Sequence, residues 1–96
     1  MLLCFRDHNL RRLYEDPSFN AGFSENIVRA YRSRVNFIAA AQDERDLYLF
    51  GAQQFKKLHG ERSHQRSMRL NDQYRLILVL EKSGQQTTAI IEGIEK

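Results

Sequence analysis

Three runs in the last third of the chain carry the alternation of apolar and polar positions expected of β-strands: QRSMRL (65–70), YRLILVLEK (74–82) and QTTAIIEGIE (86–95). Upstream the period lengthens to that of a helix. Ile27, Tyr31, Val35 and Ile38 recur at near-helical spacing, with Arg29, Arg32 and Asn36 on the other side. Ser24 can cap this helix and Glu25 sits in its first turn, so the pattern predicts a helix over 25–41. A shorter helix is predicted over 9–16 from Leu10, Leu13 and Tyr14, with Asn9 as its cap and a stop at Asp16-Pro17. MLLCFRD (1–7) reads as a first strand. The segment 42–64 is less regular. A short helix near 43–49 fits it, and Leu47, Phe50 and Phe55 are expected to dock it on the core. Strands clustered after helices predict an α+β fold, with the helices on one face of an antiparallel sheet.

Strand parity raises a question about the arginines in this sheet. In 74–80, Tyr74, Leu76, Leu78 and Leu80 point one way and Arg75, Ile77 and Val79 the other. A two-residue loop, Asp72-Gln73, would pair Leu70 with Arg75 and mix the faces. A three-residue loop, 71–73, pairs Leu70 with Tyr74, Arg69 with Arg75 and Met68 with Leu76, and the faces agree. A second turn at Ser83-Gly84 would pair Val79 with Thr88, Ile77 with Ile90 and Arg75 with Glu92. The helices then cover Leu76, Leu78, Leu80, Ala89 and Ile91. The open face keeps an apolar floor and a charged end, with Arg69 beside Arg75. Two adjacent guanidinium groups repel unless an anion joins them. Glu92 supplies one charge, and a phosphate matches the forked donors. A plain ion pair closing the end of the sheet is the alternative reading.

The 96 residues form one domain with one modest core, 42% hydrophobic and 28% charged. No apolar run reaches membrane-spanning length, and MLLCF is too short for a signal peptide, so a cytoplasmic protein without membrane contact is expected. The lone cysteine, Cys4, excludes an internal disulfide and a cysteine-based zinc site. The formal net charge is +3. Between Lys56 and Arg75 lie Lys56, Lys57, Arg62, Arg66, Arg69, Arg75, His59 and His64, against Glu61 and Asp72 alone. That concentration suits a polyanion, nucleic acid first, or else a solvated basic surface.

The segment LHGER followed by SMRLNDQYRLIL resembles the RelE/HigB-like toxins of bacterial type II toxin–antitoxin systems, which carry a run close to LKGDR-x-x-x-S-I-R-x-N-x-x-W/Y-R-I. The early LLCFRDHNLRRLYED is similar to the family's N-terminal segment, so the resemblance covers nearly the whole of 1–96. It implies a compact RelE-like microbial RNase fold. It also implies a ribosome-dependent mRNA endonuclease that acts in the ribosomal A site by attack of the ribose 2′-OH on the adjacent phosphate, with no metal or other cofactor. The partners it implies are a cognate helix-turn-helix antitoxin and, through that antitoxin, operator DNA.

Carried over residue by residue, Arg75 falls on the family's transition-state arginine, where strand parity had placed an arginine on the open face independently. His59 replaces the lysine of LKG. Lys56 stands where some members carry a catalytic histidine. Many members end in DYH, and the last strand sets Glu95 and Lys96 over the first two of those positions. The resemblance thus implies Arg75, His59, Lys56 and Glu95 as catalytic, with Arg62, Arg69, Lys57, Arg66 and Lys96 as RNA-binding. Lys56, His59, Arg62, Arg69 and Arg75 are expected to line one continuous surface. Two other readings fit the same scaffold: a ParE-like toxin that inhibits gyrase without chemistry, and a degenerate homologue that retains antitoxin and operator binding.

Overall fold

The computed structural model describes residues 1–49 and 54–96. The predicted docking of Phe50 lies outside them. The elements run β1 (Leu2–Phe5), α1 (His8–Glu15), α2 (Glu25–Ala40), α3 (Glu44–Leu49), β2 (Lys56–Lys57), a 3-10 turn (Gly60–Arg62), β3 (Gln65–Arg69), β4 (Arg75–Ser83) and β5 (Gln86–Glu95).

Local chemistry sets the helix ends. The Asp7 side chain accepts from the Leu10 amide at 2.9 Å, so α1 starts at His8 and its cap is Asp7 rather than Asn9. Ser24 caps α2 as expected, through the Ile27 amide. The last carbonyls of a helix lack intrahelical partners. Arg32 of α2 supplies donors to those of Leu13 and Asp16, and to Phe19 in the loop beyond. Tyr31, fully buried, donates its hydroxyl to the Leu10 carbonyl at 2.8 Å. The two helices are therefore locked together by polar bonds as well as packing.

The sheet has five strands in the order β1-β5-β4-β3-β2. It is mixed rather than antiparallel throughout, because β1 runs parallel to β5. Met68, Leu76, Leu78, Ala89 and Ile91 are buried against Leu13, Ile27, Tyr31, Val35, Ile38, Leu47 and Phe55. One sheet face is thus covered by helices, as parity requires.

The β3–β4 hairpin has the expected register, with Arg69 opposite Arg75 and Met68 opposite Leu76. A glycine is favoured in a three-residue loop for its positive φ, but no residue of 71–73 takes that conformation, and the loop is held by Asn71 instead. Its side-chain oxygen accepts from the Gln73 and Tyr74 amides, both at 2.8 Å. The β4–β5 register differs from expectation. The loop is Gly84-Gln85, with Ser83 opposite Gln86, because Gly84 at φ +62° supplies the positive dihedral at the first loop position. A bulge between Ile77 and Leu78 then leaves Glu92 without a partner residue. Arg75 therefore stands opposite Glu95, not Glu92.

Candidate active site

The open face of the sheet ends in a cleft of about 350 Å³. Its walls come from Gln54 and the start of β2 (Lys56), the end of β3 (Ser67, Arg69), the 71–73 loop, Tyr74 and the start of β4 (Arg75), and Lys96. Its charged lining is Lys56, Arg69, Arg75 and Lys96 against Asp72 alone. Register explains the gathering. Lys56 is opposite Ser67, and Arg69 is opposite Arg75, so alternation sends Lys56, Arg69 and Arg75 to the same side. Lys96 joins them from the end of β5, its ammonium 5.7 Å from the centre of the Tyr74 ring.

A second cluster abuts this cleft. Glu95 accepts from Arg62 at 2.7 Å through one oxygen and from Arg75 at 3.3 Å through the other. Arg62 also donates to Gln65 at 2.6 Å, and Gln65 donates to Glu92 at 3.2 Å. Ile77, on the same face by alternation, is only 1% exposed among these side chains. The hydrogen bond from Arg62 holds the Glu95 carboxyl below its ordinary value; burial opposes this, and the Arg62 and Arg75 charges reinforce it. Arg75 is not fully engaged. Its Nε is buried and has no hydrogen-bond partner among the described residues. Arg69 pairs with Asp72, whose side chain is 91% exposed and thus easily displaced.

The residues singled out in the sequence separate into three groups. Lys56, Arg69, Arg75 and Lys96 line the cleft, and Arg62 and Glu95 adjoin it through their bonds to each other and to Arg75. His59 is exposed ahead of the 3-10 turn and is not in the lining. Lys57 is exposed and, next to Lys56 on β2, turns the other way. Arg66 corrects the expected basic face. It shares the helix-covered side with Met68, and its Nε donates to Glu44 of α3 at 2.8 Å. Tyr74, Asn71 and Gln54 enter the lining without having been singled out as site residues. Among the described residues, no group of His, Cys, Asp and Glu could hold a metal ion, and no helix is long and apolar enough to cross a membrane.

A family model described as the RelE-like toxin of type II toxin–antitoxin system HigB matches residues 3–89. This chain belongs to that family. Toxin HigB-1 of Vibrio cholerae serotype O1 is 35% identical over 77 residues, covering 80% of this chain and 81% of that protein. The fold is also similar to that of a solved YoeB/ParE toxin from Agrobacterium tumefaciens, with TM-score 0.61 at 14% identity, covering 99% of this chain and 96% of that one. At that identity the likeness concerns the fold alone. Membership of a type II system implies an antitoxin as partner. The family match takes in Lys56, Arg62, Arg69 and Arg75 of this HigB-like toxin and stops before Glu95 and Lys96.

Proposed function

We propose that this HigB-like toxin is a ribosome-dependent mRNA endonuclease held inactive by its antitoxin. The observation that carries the reading is the cleft itself. Arg75, whose buried Nε has no partner among the described residues, lines a space shared with Arg69, Lys56 and Lys96. A phosphodiester is the ligand that such a set of donors suits.

The reaction forms a bond from the 2′ oxygen to phosphorus and breaks the bond to the 5′ oxygen. The products carry a 2′,3′-cyclic phosphate and a 5′-hydroxyl. Arg75 stabilises charge on the non-bridging oxygens as the fifth bond forms, and Arg69 opposite it holds the adjoining RNA backbone. Lys56 lines the cleft and gives a proton to the departing 5′ oxygen. His59 lies outside the lining, so the 2′-OH proton passes to solvent water at the open mouth of the cleft. Glu95 has both oxygens on guanidinium groups and a lowered pKa, so it suits a positioning role better than that of a base.

The test is to map mRNA 5′ ends after brief expression. Cuts at fixed codon positions in translated frames support the reading. Intact mRNA with arrested DNA replication would replace it with gyrase inhibition.

A further inference from the structure

Arg34 lies on α2, outside the basic segment of the sequence, yet its Nε donates to the main-chain carbonyl of Arg69 at 3.0 Å. The strand geometry explains why that carbonyl is free. The Leu70 amide donates to the Tyr74 carbonyl, which makes 70 and 74 a hydrogen-bonded pair. In an antiparallel ladder the next pair, Arg69 and Arg75, then turns its backbone groups outward. β2 begins at Lys56, opposite Ser67, and provides no strand partner at Arg69. Arg34 fills that gap and comes to the same strand end as the cleft.

The bond to the carbonyl uses only Nε. No partner for the two terminal nitrogens of Arg34 is seen among the described residues, and the side chain is only partly buried. Its pKa is lowered, first by burial and then by the charge of Arg69, so the two cations sense each other. Arg69 has the exposed Asp72 as its carboxylate, and among the described residues Arg34 has none. A guanidinium fixed at Nε, whose terminal nitrogens have no partner among the described residues and which senses the charge of Arg69, is a site short of an anion.

We propose that Arg34 and Arg69 together form a second phosphate subsite, which holds a backbone phosphate of single-stranded RNA next to the one in the Arg75 cleft. The subsite extends the RNA path from the sheet to α2. It rests on the reading of the chain as an RNA-binding toxin, and not on cleavage.

The test uses the full chain and a short single-stranded RNA oligonucleotide, with affinity measured by fluorescence anisotropy over a range of salt. Arg34→Gln is the informative change. The glutamine amide nitrogen sits the same number of bonds from Cα as Arg34 Nε, so the bond to the Arg69 carbonyl can persist while the charge is lost. The variant should keep its melting temperature, bind more weakly, and show a slope of log affinity against log salt that is shallower by up to about 0.7, the value for one whole phosphate contact. Arg34→Lys should retain the slope. Because both arginines would hold one phosphate, Arg34→Gln with Arg69→Gln should lose less than the sum of the two alone.

An unchanged slope in Arg34→Gln, strictly additive losses, or no salt-dependent RNA binding by the unaltered chain would each overturn the subsite. Mapping of mRNA ends is read separately. Absence of cuts with an Arg34-dependent slope would remove the endonuclease and leave the subsite standing.

Discussion

Glu95 stands directly across the β4–β5 pair from Arg75, and its carboxylate accepts from that guanidinium at 3.3 Å. Its other oxygen is taken by Arg62 at 2.7 Å. One carboxylate therefore keeps two like charges side by side at the rim of the cleft. The facing pair Arg75 and Arg69 is tolerated because each has its own carboxylate, Glu95 for Arg75 and Asp72 for Arg69.

A pH prediction follows from the lowered pKa of Glu95. A carboxylate depressed in the folded state contributes stability above its unfolded pKa, and that contribution is lost as pH falls through the folded value. The window therefore lies below the ordinary glutamate value of about 4.3. The side chains of Glu95 and Arg62 are 39% and 40% exposed, so screening limits the effect to about 1 kcal/mol at most. Glu95→Gln should melt slightly lower than the parent at neutral pH, and the gap should close as the pH falls below the ordinary glutamate range. Melting curves across that range check it. A gap that widens on acidification would contradict the bridge.

The cap of α1 gives a second, independent check. Asp7→Ala removes the acceptor for the Leu10 amide and should cost about 1 kcal/mol. Asn9→Ala should cost almost nothing, because Asn9 lies inside the helix and is exposed. Denaturant titration of the two variants decides between the caps.

Tyr31→Phe tests the lock between α1 and α2. The hydroxyl is lost from a fully buried site, along with its 2.8 Å bond to the Leu10 carbonyl. The expected cost is about 0.5–1.5 kcal/mol with the cleft unaltered, so RNA binding should be unchanged at temperatures where the variant is folded. A variant as stable as the parent would mean that the bond contributes nothing net.

The fold was legible wherever one periodicity ruled. The α2 stripe, the three C-terminal strands and the β3–β4 register follow from apolar spacing and loop length. The β4–β5 register was not legible, because an extra residue at Glu92 leaves no mark in the alternation of its neighbours, and a turn set by Gly84 admits two positions for that glycine. Arg66 shows a different failure. The alternation that turns Met68 and Leu70 inward also turns Arg66 inward, but a run of basic residues read as one patch hides it. The parallel pairing of β1 and the approach of Arg34 to Arg69 are long-range facts of packing, which local pattern does not encode.

Arg75 is the residue on which the proposed chemistry depends most. Its side chain is 37% exposed, its bond to Glu95 is long at 3.3 Å, and its Nε has no partner among the described residues. Removing it should therefore cost little in stability, about 0–1 kcal/mol, the range for an exposed ion pair. Loss of the buried, unpaired Nε offsets part even of that. If Arg75 stabilises the charge that develops on the scissile phosphate, Arg75→Ala should lower cleavage by about 100- to 1000-fold, the usual effect of deleting one such donor. Arg75→Lys retains the charge without the fork, and should recover RNA binding more fully than cleavage. If Arg75 is instead only a strut for Glu95, Arg75→Ala and Glu95→Ala should lower the melting temperature alike, and Arg75→Lys should restore it together with activity. Melting temperature, RNA affinity and cleavage rate, measured on these three variants and the parent, separate the two roles. Unchanged melting together with unchanged toxicity in Arg75→Ala would remove Arg75 from the catalytic step.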